Sequence, residues 1–347
     1  MAEKISDCDH TYLKTRDNIY FAVNGDLHTS ESIFGQPYYF PKKTIETILD
    51  RQIQKTTLLE KSEFCKLLDV IKLEEYPDFI KENFSKYYYS PKIWPLLMKV
   101  NRSNVSRVFN PKIGLDTIYE AHKHQENHPL IYFLELLKQH NPALYKNMGI
   151  TGSLLLHQDL SQVKNDIDII VYGRPNAIVT KSFSINMCDF NNRFSFLEGE
   201  KLETYLDSKA QTYPGTRKQL ADLTRKWWDT FYIDETRFDL TFSSETTPPL
   251  ESYDLLPLGE RKISGEVTDT DDSYFLPTGL KVRTSSGVKD VIITSRGYIS
   301  LFEKSDSVEV TGEEYLYKNT GKRYTVVKGL NKYFVNKKWL KKILKFY

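Results

Sequence analysis

The stretch that decides the fold is Gly149-Ile-Thr-Gly152-Ser153-Leu-Leu-Leu-His157-Gln-Asp-Leu-Ser-Gln-Val-Lys-Asn165-Asp166-Ile-Asp168-Ile-Ile-Val-Tyr172-Gly173. Its second half alternates, so a strand from Asp166 to Tyr172 turns Asp166, Asp168 and Ile170 to one face and Ile167, Ile169 and Val171 to the other. Two carboxylates pointing the same way repel each other unless something neutralises them. A divalent cation held by carboxylate oxygens is the commonest functional solution. Upstream, Met148 to Thr151 reads as a short strand and Ser153 to about Gln158 as a helix. Gly152-Ser153 therefore sits where a strand turns into a helix. Glycine lets the backbone approach a phosphate closely, the N–H groups of the helix start donate to it, and the Ser153 hydroxyl adds a donor.

A third carboxylate lies on the run Arg237-Phe-Asp239-Leu-Thr-Phe242, where Phe238, Leu240 and Phe242 face a core and Asp239 looks away from it. If that strand lies beside the Asp166 strand, three carboxylates converge. Three acidic groups can hold two metals about 3.5–4 Å apart, which clamps the attacking and leaving oxygens in phosphoryl and nucleotidyl transfer. Arg217, Lys218, Arg225 and Lys226, on an expected helix from Thr216 to Trp228, are read chiefly as a solvated face and secondarily as triphosphate contacts.

Gly-Ser, then Asp-x-Asp beginning 13 residues after the serine, then a distant third aspartate, resembles the DNA polymerase β-like nucleotidyltransferase superfamily. That superfamily also contains CCA-adding enzymes, poly(A) polymerases and antibiotic nucleotidyltransferases. The runs Gly-Ile-Thr-Gly-Ser-Leu-Leu and Asn-Asp-Ile-Asp-Ile-Ile-Val-Tyr-Gly are more particularly similar to predicted archaeal nucleotidyltransferases of unassigned substrate. In that group a β element like Asn18 to Phe40 and a C-terminal β segment like Gly297 to Gly329 are also expected. The specific motif covers about 25 residues, and the looser resemblance covers most of the chain. Many members have a glycine a few residues after the serine and a serine before the first aspartate; here residues such as His157 and Asn165 stand in those places.

The resemblance implies an α/β (α+β) core with a mixed sheet, and Mg²⁺ or Mn²⁺ on Asp166, Asp168 and Asp239. The donor would be an NTP whose phosphates rest on Gly152 and Ser153. An acceptor hydroxyl, deprotonated with help from Asp239, would attack in line and expel pyrophosphate without a covalent enzyme intermediate. An RNA end, a protein hydroxyl and a small molecule all remain open as acceptor. The rival from another class is a non-catalytic nucleic-acid-binding protein on the same fold, against which the intact Asp166 and Asp168 argue.

Working outward, residues 12–40 read as short strands, with Asn24-Gly25 as a two-residue hairpin turn. From about Lys43 to Lys146 the pattern is read as helical, on Leu58, Leu59, Phe64, Leu67, Leu68 and Ile71 and on prolines that cut it into short helices. After Pro248-Pro249 come turn-separated strands, among them Ile263 to Thr268, Leu280 to Thr284, Val288 to Thr294 and Val308 to Thr311, as in a small barrel or sandwich. The expected division is an N-terminal β element (1–42), a helical region (43–111), the nucleotidyltransferase core (112–250) and a small β domain with a basic terminal helix (251–347). His122, His124 and His128, around Glu126, fall in a polar stretch ending at Pro129 and are read as a solvated inter-helix segment rather than a metal site.

The chain of 347 residues carries a net charge of +2, yet Lys318 to Tyr347 hold nine Lys, one Arg and no acid, leaving −8 on the rest. A localised basic face can attract a polyanion even when the whole molecule is nearly neutral. Asn336 to Phe346 reads as an amphipathic helix, with Trp339, Leu340, Ile343, Leu344 and Tyr347 forming an apolar stripe and Lys337, Lys338, Lys341, Lys342 and Lys345 the opposite face. Packing on the β domain, contact with a polyanion and a membrane surface are its three readings. In the second, Lys338, Lys341, Lys342 and Lys345 would touch RNA or another polyanion. The composition, 40% hydrophobic and 27% charged, is that of a folded protein. No apolar run approaches the roughly 20 residues of a membrane span. Cys8, Cys65 and Cys188 form no Cys-x-x-Cys pair, and Met1 to Cys8 lack the apolar core of a secretory signal, so a cytoplasmic protein is expected.

Overall fold

The computed structural model describes residues 8–25, 28–72, 75–89, 96–162, 166–210, 228–244, 255–294, 298–318, 320–327 and 334–336. It is a mixed α+β protein with three sheets. The described residues fall into two compact units, those up to Val171 and those from Tyr172 onward.

The first sheet gathers β1 (Tyr12–Thr15), β2 (Tyr20–Val23), β3 (Ser32–Pro41), β4 (Thr57–Leu59), β5 (Ser62–Lys66), β6 (Met98–Asn101) and β7 (Val105–Phe109). Their order is β4-β5-β3-β2-β1-β7, with β6 also paired to β3. Leu13, Phe21, Ile33, Phe40, Cys65, Met98 and Val100 form its core, covered by Ile45 of α1 (Lys42–Leu49) and Ile80 of α2 (Tyr76–Asn83).

Two readings of this part are corrected. The stretch 43–111 is not a helical region, because four of its segments are strands of this sheet. Leu59, Phe64 and Leu67 are buried, but Leu58 and Leu68 are exposed, so the apolar residues do not form one helical stripe. The reversal between β4 and β5 is made by Glu60 and Lys61, both at positive φ (48° and 67°), in a two-residue turn without the usual Asn or Gly. Conversely, Asn24-Gly25 is not a two-residue hairpin. β2 and β3 do pair, Val23 opposite Gly35, but the connection runs from Asn24 to Glu31, and the Gly25 N–H donates to Asp9 Oδ1 at 2.8 Å.

Helices α3 (Pro111–His122), α4 (Pro129–His140) and α5 (Pro142–Tyr145) follow, each begun by a proline at its first position. Asn110, His128 and Asn141 cap them with side chains that accept from backbone N–H groups. His128 is thus a helix cap. Burial first, and then the neighbouring His122, hold its imidazole below the ordinary histidine range.

The second sheet has the order β10-β11-β12-β9-β8, from β8 (Met148–Ile150), β9 (Asp166–Tyr172), β10 (Phe194–Phe196), β11 (Thr230–Ile233) and β12 (Thr236–Ser243). Helix α6 (Gly152–His157) leaves β8, α7 (Arg174–Phe190) leaves β9, and α8 (Gly199–Ala210) follows β10. Phe231 and Phe238 stack across β11 and β12 with centroids 5.5 Å apart. Of the expected helix from Thr216 to Trp228, all but Trp228 lies outside the described residues.

The third sheet comprises β13 (Leu255–Asp269), β14 (Thr278–Thr284), β15 (Gly287–Ile293), β16 (Ser307–Tyr317), β17 (Lys322–Val327) and β18 (Phe334–Asn336). Its order is β13-β14-β15-β17-β16-β18, and a further β13–β16 pairing closes a five-stranded ring. β15 and β17 run parallel while the other pairs are antiparallel. Ile263, Val267, Leu280, Val282, Val291, Ile293, Val308, Val310 and Val327 make the core of this barrel. The terminal lysines Lys338, Lys341, Lys342 and Lys345 lie outside the described residues. Among the described residues, no helix is long and apolar enough to cross a membrane.

Candidate active site

In the first unit, β8 pairs antiparallel with β9, Ile150 opposite Ile169, and the Thr151 N–H continues the ladder to the Asp168 carbonyl at 2.9 Å. Ile167, Ile169, Ile170 and Val171 are fully buried, while Asp166 and Asp168 are half-buried. Gly152 then breaks the strand with φ +64°, a left-handed conformation. A Cβ at this position would lie 2.1 Å from Asp168 Oδ2 and 3.0 Å from its Cγ. The side-chain carboxylate of Asp168 therefore packs directly on the Gly152 backbone. A side chain here would meet both the left-handed backbone and this carboxylate.

Thr151 occupies the cap position of α6 but makes no side-chain cap hydrogen bond; its hydroxyl donates instead to the His10 carbonyl at 3.3 Å. The N–H groups at the start of α6 are thus not satisfied by the cap side chain, and Ser153 beside them is half-buried. The helix has only six residues, so these donors, rather than a helix dipole, are what an anion would meet.

Asp168 acts electrostatically on Lys66, the last residue of β5, and on Tyr39 of β3. Tyr38 first, with burial opposing it, and then Tyr39, Asp168 and Asp69 hold the Lys66 ammonium above the ordinary lysine range. Burial above all pushes the Tyr39 phenol up; Lys66 opposes this, while Tyr38 and Asp168 add to it. The signal was hidden because Lys66 fell in a stretch read as helix. Without the β5 register it could be given no face.

In the second unit, the alternation expected for β12 holds: Phe238, Leu240 and Phe242 are buried, and Asp239 is half-buried. Asp239 faces Thr230 across β11–β12 and accepts from its hydroxyl at 3.0 Å through Oδ1. Arg237 holds the other oxygen, with Nε 3.0 Å and a terminal guanidinium nitrogen 2.9 Å from Oδ2. Both Asp239 oxygens already accept hydrogen bonds. Among the described residues, no group of three or more His, Cys, Asp or Glu side chains is gathered as a metal site would require. The structure therefore brings together Gly152 and Asp168 and leaves Asp239 bound to Arg237. Asn165, Arg217, Lys218, Arg225 and Lys226 lie outside the described residues.

The chain is 24% identical over 321 residues to an uncharacterized protein of Methanocaldococcus jannaschii, a match spanning 90% of this chain and 92% of that one. No protein-family model and no solved structure matches it.

Proposed function

We propose that the chain is a metal-dependent nucleotidyltransferase that moves NMP from an NTP to an acceptor hydroxyl and releases pyrophosphate. One observation carries this reading: the Gly152 turn packs against the Asp168 carboxylate, so that an anion on the turn would lie beside the carboxylate pair. The donor set fits a hard divalent cation, since carboxylate oxygens are the preferred ligands of Mg²⁺ and Mn²⁺. Asp166 and Asp168 would hold it, with Asp239 the third ligand that the resemblance implies. When bound, the ion neutralises developing charge on the transferring phosphoryl group.

The chain's own groups do the rest. The N–H groups at the start of α6 and the Ser153 hydroxyl donate to the NTP phosphates and fix their orientation. Asp239 accepts the proton of the attacking acceptor hydroxyl.

Incubation with each α-labelled NTP plus total RNA or total protein is expected to label one acceptor fraction and release pyrophosphate. Absence of NTP turnover with every acceptor, in Mg²⁺ and in Mn²⁺, would sink the proposal. A second reading, a non-catalytic nucleic-acid-binding protein, is favoured by the hold of Arg237 on Asp239. It predicts nucleic-acid binding without turnover in the same assay.

For the acceptor, RNA or another polyanion is supported by the basic C-terminal segment and by the preceding five-stranded barrel, a type of architecture that includes oligonucleotide binders. Replacing Lys338, Lys341, Lys342 and Lys345 with Gln is expected to reduce the slope of log affinity against log salt by about two to three, since each phosphate contact on a single strand contributes roughly 0.7. NTP affinity should stay unchanged. An unaltered slope in fluorescence anisotropy would move the acceptor elsewhere.

A further inference from the structure

Two segments far apart in the chain meet at the residue just before the Gly152 turn. Cys8 to Thr11 form a four-residue turn, closed by the Thr11 N–H on the Cys8 carbonyl at 3.2 Å. Its third residue is His10, with φ +63°, a left-handed conformation for which glycine or asparagine is the usual choice. The turn is anchored on β2 and on the residues after it. The His10 N–H donates to the Val23 carbonyl at 3.0 Å, and the buried Asp9 accepts through Oδ1 from the Gly25 N–H at 2.8 Å. His10 Nδ1 lies 2.9 Å from that same Asp9 oxygen. So held, the His10 carbonyl accepts from the Thr151 hydroxyl at 3.3 Å.

Thr151 is buried, and its own N–H donates to the Asp168 carbonyl at 2.9 Å. It is therefore gripped twice, by β9 through its backbone and by the N-terminal turn through its side chain. A threonine at a helix cap commonly accepts from the helix N–H groups; here the hydroxyl is turned to His10 and makes no such bond. The next residue, Gly152, holds its left-handed backbone so close to the Asp168 carboxylate that no Cβ would fit between them. Rotation of Thr151 would move that backbone, and the contact with His10 opposes it. We infer that Thr151 is a positioning residue of the nucleotide site, and that the Cys8–Thr11 turn acts through the His10 carbonyl to hold the Gly152 turn in place for phosphate. This rests on the nucleotidyltransferase reading above.

Calorimetry on the full chain with ATP, GTP, CTP and UTP, each in excess Mg²⁺, separates the two, with thermal unfolding recorded for every variant. Thr151→Val keeps the shape and removes the hydroxyl, and should weaken NTP binding about 5- to 20-fold, as for loss of one hydrogen bond. Thr151→Ser should recover most of it. His10→Gly keeps both the left-handed backbone and the carbonyl, so binding should stay within about twofold of wild type. His10→Val, β-branched and disfavoured at positive φ, should weaken binding as Thr151→Val does. If the wild type binds and Thr151→Val or His10→Val binds equally well, whatever its thermal midpoint, the positioning role fails while the nucleotide site stands. Loss of binding in His10→Gly overturns it as well, because the imidazole and not the carbonyl would then be at work. If the wild type binds no NTP, the nucleotidyltransferase reading falls and takes this inference with it.

Discussion

Asp168→Asn is expected to lower nucleotidyl transfer by roughly a thousandfold or more, the several kcal/mol of transition-state stabilisation that a correctly held metal supplies. The amide keeps the shape of the carboxylate and so its packing on the Gly152 backbone, but it loses the charge that would hold the cation. Asp166→Asn should behave alike, because alternation places both residues on one face of β9. Pyrophosphate release at matched Mg²⁺ and Mn²⁺ gives the first readout, and a thermal unfolding midpoint within a few degrees of wild type gives the second. Unchanged turnover in both variants would remove the carboxylates from the chemistry.

The second large effect is expected at Gly152. A side chain there meets two penalties: a left-handed backbone, costing about 1–3 kcal/mol for a non-glycine residue, and a Cβ 2.1 Å from Asp168 Oδ2. The neighbour that must give way is the carboxylate itself. Gly152→Val should therefore lose NTP affinity by about two orders of magnitude, a cost of nearly 3 kcal/mol. Gly152→Ala should lose much of it and stay easier to fold. Ser153→Ala removes one donor without moving the backbone, and should raise the Michaelis constant by only about 3- to 10-fold. Wild-type NTP affinity in Gly152→Val by calorimetry would place the phosphate pocket elsewhere.

What the sequence made legible here follows from how local each signal is. The alternation of Asp166 to Tyr172 lies within one strand, and β9 begins and ends on those residues. The prolines at 111, 129 and 142 start helices because a missing N–H costs nothing at a first position. By contrast, the spacing of Leu58 to Ile71 fits a helix when pairing is ignored. Its strands are set by long-range ladders, Phe40 opposite Cys65 and Ile33 opposite Val100, that no short window contains. The turn at Glu60-Lys61 gave no glycine or asparagine cue. At the C-terminal end single strands were legible, but closure of the ring through β13 and β16 joins segments about fifty residues apart, beyond local patterning. Arg237 was read only as a neighbour of Asp239, although two residues of the same parity along a strand share a face, which is how its guanidinium reaches that carboxylate.

The central claim is that Asp166 and Asp168 hold a divalent cation beside a nucleotide resting on Gly152 and Ser153. Diffraction at the manganese absorption edge, from crystals of the full chain grown with Mn²⁺ and a non-hydrolysable analogue of each NTP, tests it most directly. The expected result is an anomalous peak within bonding distance of carboxylate oxygens of both aspartates, with phosphate oxygens of the nucleotide on the same ion and against the backbone N–H groups of Gly152 and Ser153. A nucleotide bound elsewhere, or Mn²⁺ and nucleotide both at saturating concentration with no peak at Asp166 and Asp168, would contradict it.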